Sequence, residues 1–141
     1  MLDRQQILGL IPHQGTMCLL DRVLEWSPAG IACVAWSHLS PDNPLRSGGR
    51  LNAVCGVEYG LQAAALHGAL SDGGRAPGYL AALRDVALGA PWLDHPAPGA
   101  LHVTAAPEWR SPAGLIYRFA VTSEGGMPLL DGRATIVLRH P

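Results

Sequence analysis

One run constrains this chain more than any other: LNAVCGVEYGLQAAALHGAL, residues 51–70. It is rich in Ala and Leu, and Asn52 stands where a helix N-cap belongs. Apolar residues occupy nearly every face of the helix it predicts. A helix that is hydrophobic all round has to be buried. Apart from the weakly acidic Tyr59 and Cys55, only Glu58 and His67 break the apolar surface with an ionisable group. The rest of the chain must therefore supply enough covering surface to enclose one long helix.

The flanking segments read as that cover. Residues 3–10 suit a short helix, limited by Pro12, because proline disfavours helical geometry in the residue before it. Residues 17–26 read as a strand, Ser27-Pro28-Ala29-Gly30 as a turn, and residues 31–38 as a second strand paired to the first. Loop chemistry fills residues 40–49. After the helix, strands are expected over residues 79–88, 100–109, 115–123 and 127–138, with a hairpin turn at Glu124-Gly125-Gly126. The predicted class is α+β: an antiparallel sheet wrapped round one central helix. A half-wrapped sheet leaves an open side, which predicts a dimer.

With 141 residues there is room for one domain, residues 1–141, and 48% hydrophobic residues suffice for a core. A formal charge of -1 argues against a general nucleic-acid binder. No apolar run nears the roughly 20 residues of a membrane span. The N-terminus has no signal-peptide pattern, so a cytoplasmic location is expected. Cys18, Cys33 and Cys55 lack metal or redox spacing and read as buried thiols. The histidines show no HxxxH or HxH spacing, so no metal site is expected.

Two motifs resemble a known family. Leu10-Ile11-Pro12-His13-Gln14 followed by Met17-Cys18-Leu19-Leu20-Asp21-Arg22-Val23 resembles the N-terminal stretch of the 3-hydroxyacyl-acyl-carrier-protein dehydratases. Glu58-Tyr59-Gly60-Leu61-Gln62 is similar to that family's Glu-Ala-x-Ala-Gln helix segment. The resemblance implies the hotdog fold and the conversion of 3-hydroxyacyl thioesters into trans-2-enoyl thioesters. It implies an acyl carrier protein as partner and no cofactor beyond the phosphopantetheine arm that carries the substrate. The family's catalytic loop places a His fourteen residues before the Glu. Here that position is Pro44, beside Asn43. In its Pro41-Asp42-Asn43-Pro44-Leu45-Arg46 loop and its helix segment the chain more closely resembles the divergent dehydratase-like subunits of aryl-polyene gene clusters. That likeness implies a heterodimer with a second, His-bearing hotdog subunit; a homodimer is the other expectation.

The chemistry sets the candidate residues. Dehydration needs a base for the α-proton, an acid for the leaving hydroxyl and donors for the thioester oxygen. Glu58 is the lone carboxylate of an apolar helix, where burial favours the protonated form a donor needs. The competing role is an ion pair with Arg84 or Arg110. His38, at the end of the second strand, is the in-chain substitute for the missing His; its alternative role is to anchor the loop. Gln62, one turn after Glu58, is expected to fix the Glu58 carboxyl. Backbone N–H groups near Cys55, Gly56 and Val57 are candidates for polarising the thioester, and Gly56 for admitting it closely. Asn43 joins Gln62, Gly56 and Val57 as a substrate-binding candidate. Arg46 and Arg50, with Arg75 and Arg110, are candidates for carrier-protein docking. His13 and His67 read as structural, His95 as a loop residue, Asp21-Arg22 as an ion pair. Trp26, Trp36, Trp92 and Trp109 read as core or dimer-interface residues. Two other functions remain: a hotdog thioesterase using Glu58 to activate water, and a non-catalytic scaffold for an active partner.

Overall fold

The computed structural model describes residues 1–72, 78–94 and 99–138. Six strands form one antiparallel sheet: β1 Arg22–Ser27, β2 Gly30–Ala35, β3 Gly78–Leu88, β4 Leu101–Ser111, β5 Gly114–Ser123 and β6 Pro128–Leu138. Their spatial order is β1-β2-β4-β5-β6-β3. The long helix α2, Gly56–Asp72, lies across β2, β4, β5 and β6. A short helix α1, Arg4–Leu8, precedes the sheet. Asp3 caps it through a reciprocal capping box with Gln6.

The long helix starts later than its apolar run. Asn52 accepts the Val54 N–H, but the turn it caps is a single 3-10 turn, Ala53–Cys55, which leads into α2 at Gly56. The inner face of α2 is dry: Tyr59, Ala63, Leu66 and His67 are fully enclosed. Gly60 lies directly against the Phe119 ring of β5, where a Cβ would collide with it. The missing side chain thus sets how closely α2 approaches the sheet. His67, facing away from Glu58 as the spacing predicts, binds Tyr117 Oη through Nδ1 at 2.7 Å and the Ser27 carbonyl through Nε2 at 2.8 Å. A carbonyl can only accept, so in the neutral ring Nε2 carries the proton and Nδ1 accepts from tyrosine.

Several expectations change. Residues 17–20 do not pair as a strand; Gly15–Met17 is a 3-10 turn and β1 begins at Arg22. Side chains satisfy that backbone instead. Arg4 Nη1 donates to the Cys18 carbonyl at 2.8 Å, and Gln62 binds Met17 and Leu19. Asp21 does not pair with Arg22. Its Oδ2 accepts the Trp36 N–H at 2.7 Å and its Oδ1 lies 3.8 Å from Arg4, while Arg22 stacks on Trp36. Cys55 is half-buried rather than buried. Trp26, Trp36 and Trp109 are exposed on this chain, not in its core.

One sheet edge stands apart. Nearly every residue of β3 is exposed, including Tyr79, Leu80, Leu83, Val86 and Leu88. β3 pairs with β6 on one side only, leaving its other side as a long edge carrying apolar side chains.

Candidate functional site

The outer face of α2 is not covered by the chain's own sheet. Glu58, Leu61, Ala65, Gly68 and Ala69 recur at helical spacing and are only half-buried or exposed. They form one wall of a cavity of about 540 Å³. Leu10 to His13 form a second wall, the first residues of β3 a third, and Leu115, Tyr117 and Ile136 the floor between β5 and β6. The lining is mainly aliphatic, with Glu58 and His13 as its residues that can carry charge near neutral pH. Such a space accepts an extended apolar group and offers it a few polar atoms.

Glu58 sits at the first turn of α2 and reaches this cavity. It is half-buried rather than enclosed, and among the described residues it makes no hydrogen bond or ion pair. Neither arginine considered for it pairs with it: Arg110 donates to the Pro28 carbonyl at 2.8 Å, and Arg84 stands on β3 opposite Arg133. An uncommitted carboxyl on an apolar wall can exchange a proton with whatever enters.

The other candidates have different tasks. Gln62 does not touch Glu58. Its Oε1 accepts the Leu19 N–H at 2.9 Å and its Nε2 donates to the Met17 carbonyl at 2.8 Å, so both ends of the amide are spent on backbone. Asn43 is buried and equally spent: Nδ2 donates to the Ser37 carbonyl at 3.0 Å and to Tyr59 Oη at 3.1 Å, and Oδ1 accepts the Leu45 N–H at 2.9 Å. Ser37 gives its proton to the Leu19 carbonyl, so the Tyr59 hydroxyl donates to Ser37. Burial pushes the Tyr59 phenol up to about 12 against these two side-chain hydrogen bonds. It is a neutral hydrogen-bonding link between α2 and the Ser37–Asn43 loop, not an acid.

Gly56 faces Leu130 of β6, where an added Cβ would make ordinary contact at 3.4 Å, so packing does not require its small size. Val57 is in the hydrophobic core. The Cys55 and Gly56 N–H groups already donate within the 3-10 turn, to Asn52 and to Ala53 and Val54. None of these four substrate-binding candidates lines the cavity.

His38 is enclosed in the 3-10 turn Ser37–Leu39, away from the Glu58 cavity. Burial lowers its readiness to take a proton, opposed by a backbone hydrogen bond with Gly99 and by the charge of Asp94. Its main-chain carbonyl accepts from Arg46 Nη2 at 2.7 Å, while its Nδ1 has no hydrogen-bond partner. Arg46 itself is consumed: it also donates to the Ser40 and Gly49 carbonyls and to Asp94 Oδ2 at 3.0 Å. Arg50 is more open, with its Nε 3.5 Å from Asp94 and its guanidinium over the Trp92 ring at 4.3 Å. Burial alone would raise the Asp94 carboxyl. The Leu51 N–H, Arg46 and Arg50 outweigh it and hold the group below its usual range. These residues knit the loop before α2 into one charged cluster. Arg75 and His95 lie outside the described residues. Among the described residues no group of His, Cys, Asp or Glu is placed to hold a metal ion, and no helix is long and apolar enough to cross a membrane.

Sequence reasoning missed His13 as a cavity residue. Its signal was present: Pro12-His13 lies within the dehydratase-like N-terminal motif. What could not be read was that the loop folds across α2 beside Glu58.

Comparison with known proteins follows the same lines. A family model described as ApeP-like, ApeP dehydratase, matches residues 5–137. No curated protein matches the chain. The dehydratase heterocomplex ApeI:P from Xenorhabdus doucetiae superposes with a TM-score of 0.80 at 19% identity, covering 95% of this chain and 91% of that one. Zebra fish thioesterase superfamily member 2 gives 0.72 at 16% identity, covering 99% and 100%. AziG of S. sahachiroi gives 0.65 at 17% identity, covering 84% and 91%. At these identities the structures share the hotdog fold with this chain.

Proposed function

The chain belongs to the ApeP-like dehydratase family, and from that premise we propose that it is a subunit that removes water from 3-hydroxyacyl thioesters borne on an acyl carrier protein. The observation that carries this reading is Glu58: an unpaired carboxyl on the wall of an otherwise apolar cavity, at the start of the central helix. The cavity takes the acyl chain. Glu58, as the acid, gives its proton to the 3-hydroxyl as the C3–O bond breaks, the C2 proton passes to the base expected from the His-bearing hotdog partner, the C2–H electron pair becomes the C2–C3 π bond, and the oxygen leaves as water. No cofactor enters this chemistry; the phosphopantetheine arm only delivers the thioester. The aryl-polyene setting of the resembling subunits makes a polyene-type acyl chain the proposed substrate class.

We place a second hotdog subunit along β3. The edge is long and apolar, and its first residues, Gly78 to Leu80, also line the cavity. A strand paired there would extend the sheet and lie against the site. The solved ApeI:P complex is a heterocomplex of dehydratases, which favours an unlike partner over a second copy. Arg50, exposed beside the loop cluster, is the remaining candidate for carrier-protein contact; Arg46 is spent on its own loop.

Hydrolysis is the second reading. The thioesterase among the similar folds and the water-accessible Glu58 favour it. Mass analysis separates the two. The chain is mixed with a hotdog partner and a 3-hydroxyacyl carrier protein. Loss of one water with the thioester intact supports dehydration. Release of the free carrier thiol supports hydrolysis and overturns the dehydratase reading.

A further inference from the structure

We propose that Gly68 is the residue that sets acyl length at this site: it keeps the far end of the cavity open, so the site takes long, extended acyl chains. The inference rests on the dehydratase reading and deepens it by naming the length class of the substrate.

The cavity has a direction. Glu58 and Gly68 both line it, ten residues apart on α2, which at about 1.5 Å per residue is about 15 Å of helix axis. Leu61, Ala64 and Ala65 make the wall between them. The sheet runs along the same line. Phe119 stands against Gly60 and the Tyr117 hydroxyl against Gly68, so Leu115, two residues further along β5, lies beyond Tyr117. Ile136 of β6 pairs beside Leu115, and Leu138 follows it. Glu58 therefore marks one end of the space and aliphatic side chains the other. The Tyr117 hydroxyl between them is bonded to His67 Nδ1 at 2.7 Å. An acyl chain with its 3-hydroxyl at Glu58 has its tail toward Gly68.

Gly68 itself lacks an ordinary explanation. Glycine inside a helix costs stability relative to alanine, so a helix retains one where a side chain would be in the way. The three glycines of α2 differ on this point. At Gly60 a Cβ would collide with the Phe119 ring, and at Gly56 it would meet Leu130 at 3.4 Å. At Gly68 the nearest atom to an added Cβ is the Tyr117 hydroxyl, at 4.0 Å. The backbone there is ordinary right-handed helix, so no positive φ requires glycine. The protein leaves room for a side chain and the sequence supplies none. What a side chain at this position would enter is the cavity that Gly68 lines. A leucine side chain rooted there would occupy the far end and leave the space beside Glu58, about 15 Å away, as it is.

The test uses the complex of this chain with its hotdog partner and two carrier-protein substrates, 3-hydroxybutyryl and 3-hydroxyhexadecanoyl. The short chain ends beside Glu58; the long one reaches Gly68. The readout is kcat/KM for the long substrate divided by that for the short one. The unaltered complex should favour the long chain. Gly68→Leu should lower the ratio by at least about tenfold, and Gly68→Ala should lower it less. A preference of the unaltered complex for the short chain, an unchanged ratio in Gly68→Leu, or an equal loss on both substrates overturns the proposal. Gly68→Ala should melt no lower than the unaltered chain, because the methyl gains helix propensity and meets nothing closer than 4.0 Å. A lower melting temperature, or a Gly68→Leu chain that does not fold, would mean that the side chain meets protein and not the cavity. Loss of assembly in Gly68→Leu, read by light scattering, would mean that the space belongs to the partner subunit. Each of these results also overturns the proposal. If the unaltered complex makes no enoyl product from either substrate, the dehydratase reading itself has failed. The affinities of the two acylated carrier proteins, read by calorimetry, then decide the role of Gly68 by the same ratio.

Discussion

Gln62 accepts the backbone N–H of Leu19 at 2.9 Å, forty-three residues earlier in the chain, and donates to the Met17 carbonyl at 2.8 Å. This amide replaces the strand neighbour that residues 17–19 do not have. It also ties the N-terminal loop, and so His13, to the helix that carries Glu58. Gln62→Leu leaves the buried Leu19 N–H unpaired, at a cost of about 1–3 kcal/mol, and releases the part-buried Met17 carbonyl. The melting temperature should drop by several degrees, read by circular dichroism. Turnover should fall even at temperatures where the variant is fully folded, because the cavity wall loosens. A variant as stable as the original would contradict the clamp.

Gly60 and Phe119 set the spacing of helix and sheet. Gly60→Ala drives a methyl into the Phe119 ring, and the helix-propensity gain of about 1 kcal/mol offsets only part of an overpacking cost of about 1–3 kcal/mol. A net destabilisation of up to about 2 kcal/mol is expected in urea unfolding. Adding Phe119→Leu should recover part of it. Additive losses in the double variant would show that the two positions do not meet.

The loop cluster gives a pH signature. Asp94 is held below its ordinary value, because Leu51, Arg46 and Arg50 together outweigh its burial. Its contribution is therefore present above the ordinary carboxylate range and is lost as pH falls through the lowered folded value. His38 is lowered chiefly by burial. Its neutral form is favoured in the fold, so stability declines as pH falls below the ordinary imidazole value of about 6.5. Urea midpoints should thus fall in two stages on acidification. His38→Gln should flatten the upper stage and Asp94→Asn the lower. A midpoint independent of pH from 7 to below 4 would contradict both assignments.

The β3 edge should behave as an interface. Leu83 is exposed and apolar on a strand with one free side. Leu83→Arg should weaken association with the hotdog partner by about tenfold or more, measured by light scattering or calorimetry. The fold of the single chain should be unchanged, because the side chain is solvent-exposed there. Unaltered assembly would place the partner elsewhere.

The readable and unreadable parts of this chain differ in physical kind. The apolar helix appears, though it begins at Gly56 rather than at the start of its apolar run, and the Ser27–Gly30 turn and the Glu124–Gly126 turn are local patterns that appear where turn chemistry puts them. The strand segments after the helix follow for the same reason. That Glu58 breaks the apolar surface of the helix was legible from helical spacing; that it meets a cavity rather than an arginine was set by the fold. Gln62, Asn43 and Arg46 were misplaced because their partners are set by the fold. Helical spacing puts Gln62 one turn from Glu58, yet its amide turns toward backbone more than forty residues away. His38 looked poised for chemistry at a strand end, but the chain turns after Ala35 and encloses it. His13 looked structural, and the fold carries it to the cavity.

The most direct test of the central claim is the dehydration rate of the assembled complex carrying Glu58→Gln. The substitution keeps the size of the side chain and removes the acid. Because the described structure gives Glu58 no hydrogen bond or ion pair to lose, folding and assembly should be unaffected. Enoyl product, followed by mass, should fall by at least about 100-fold. Product formation at the unaltered rate would mean that Glu58 does not carry the reaction, and the assignment of this cavity as the dehydration site would be wrong.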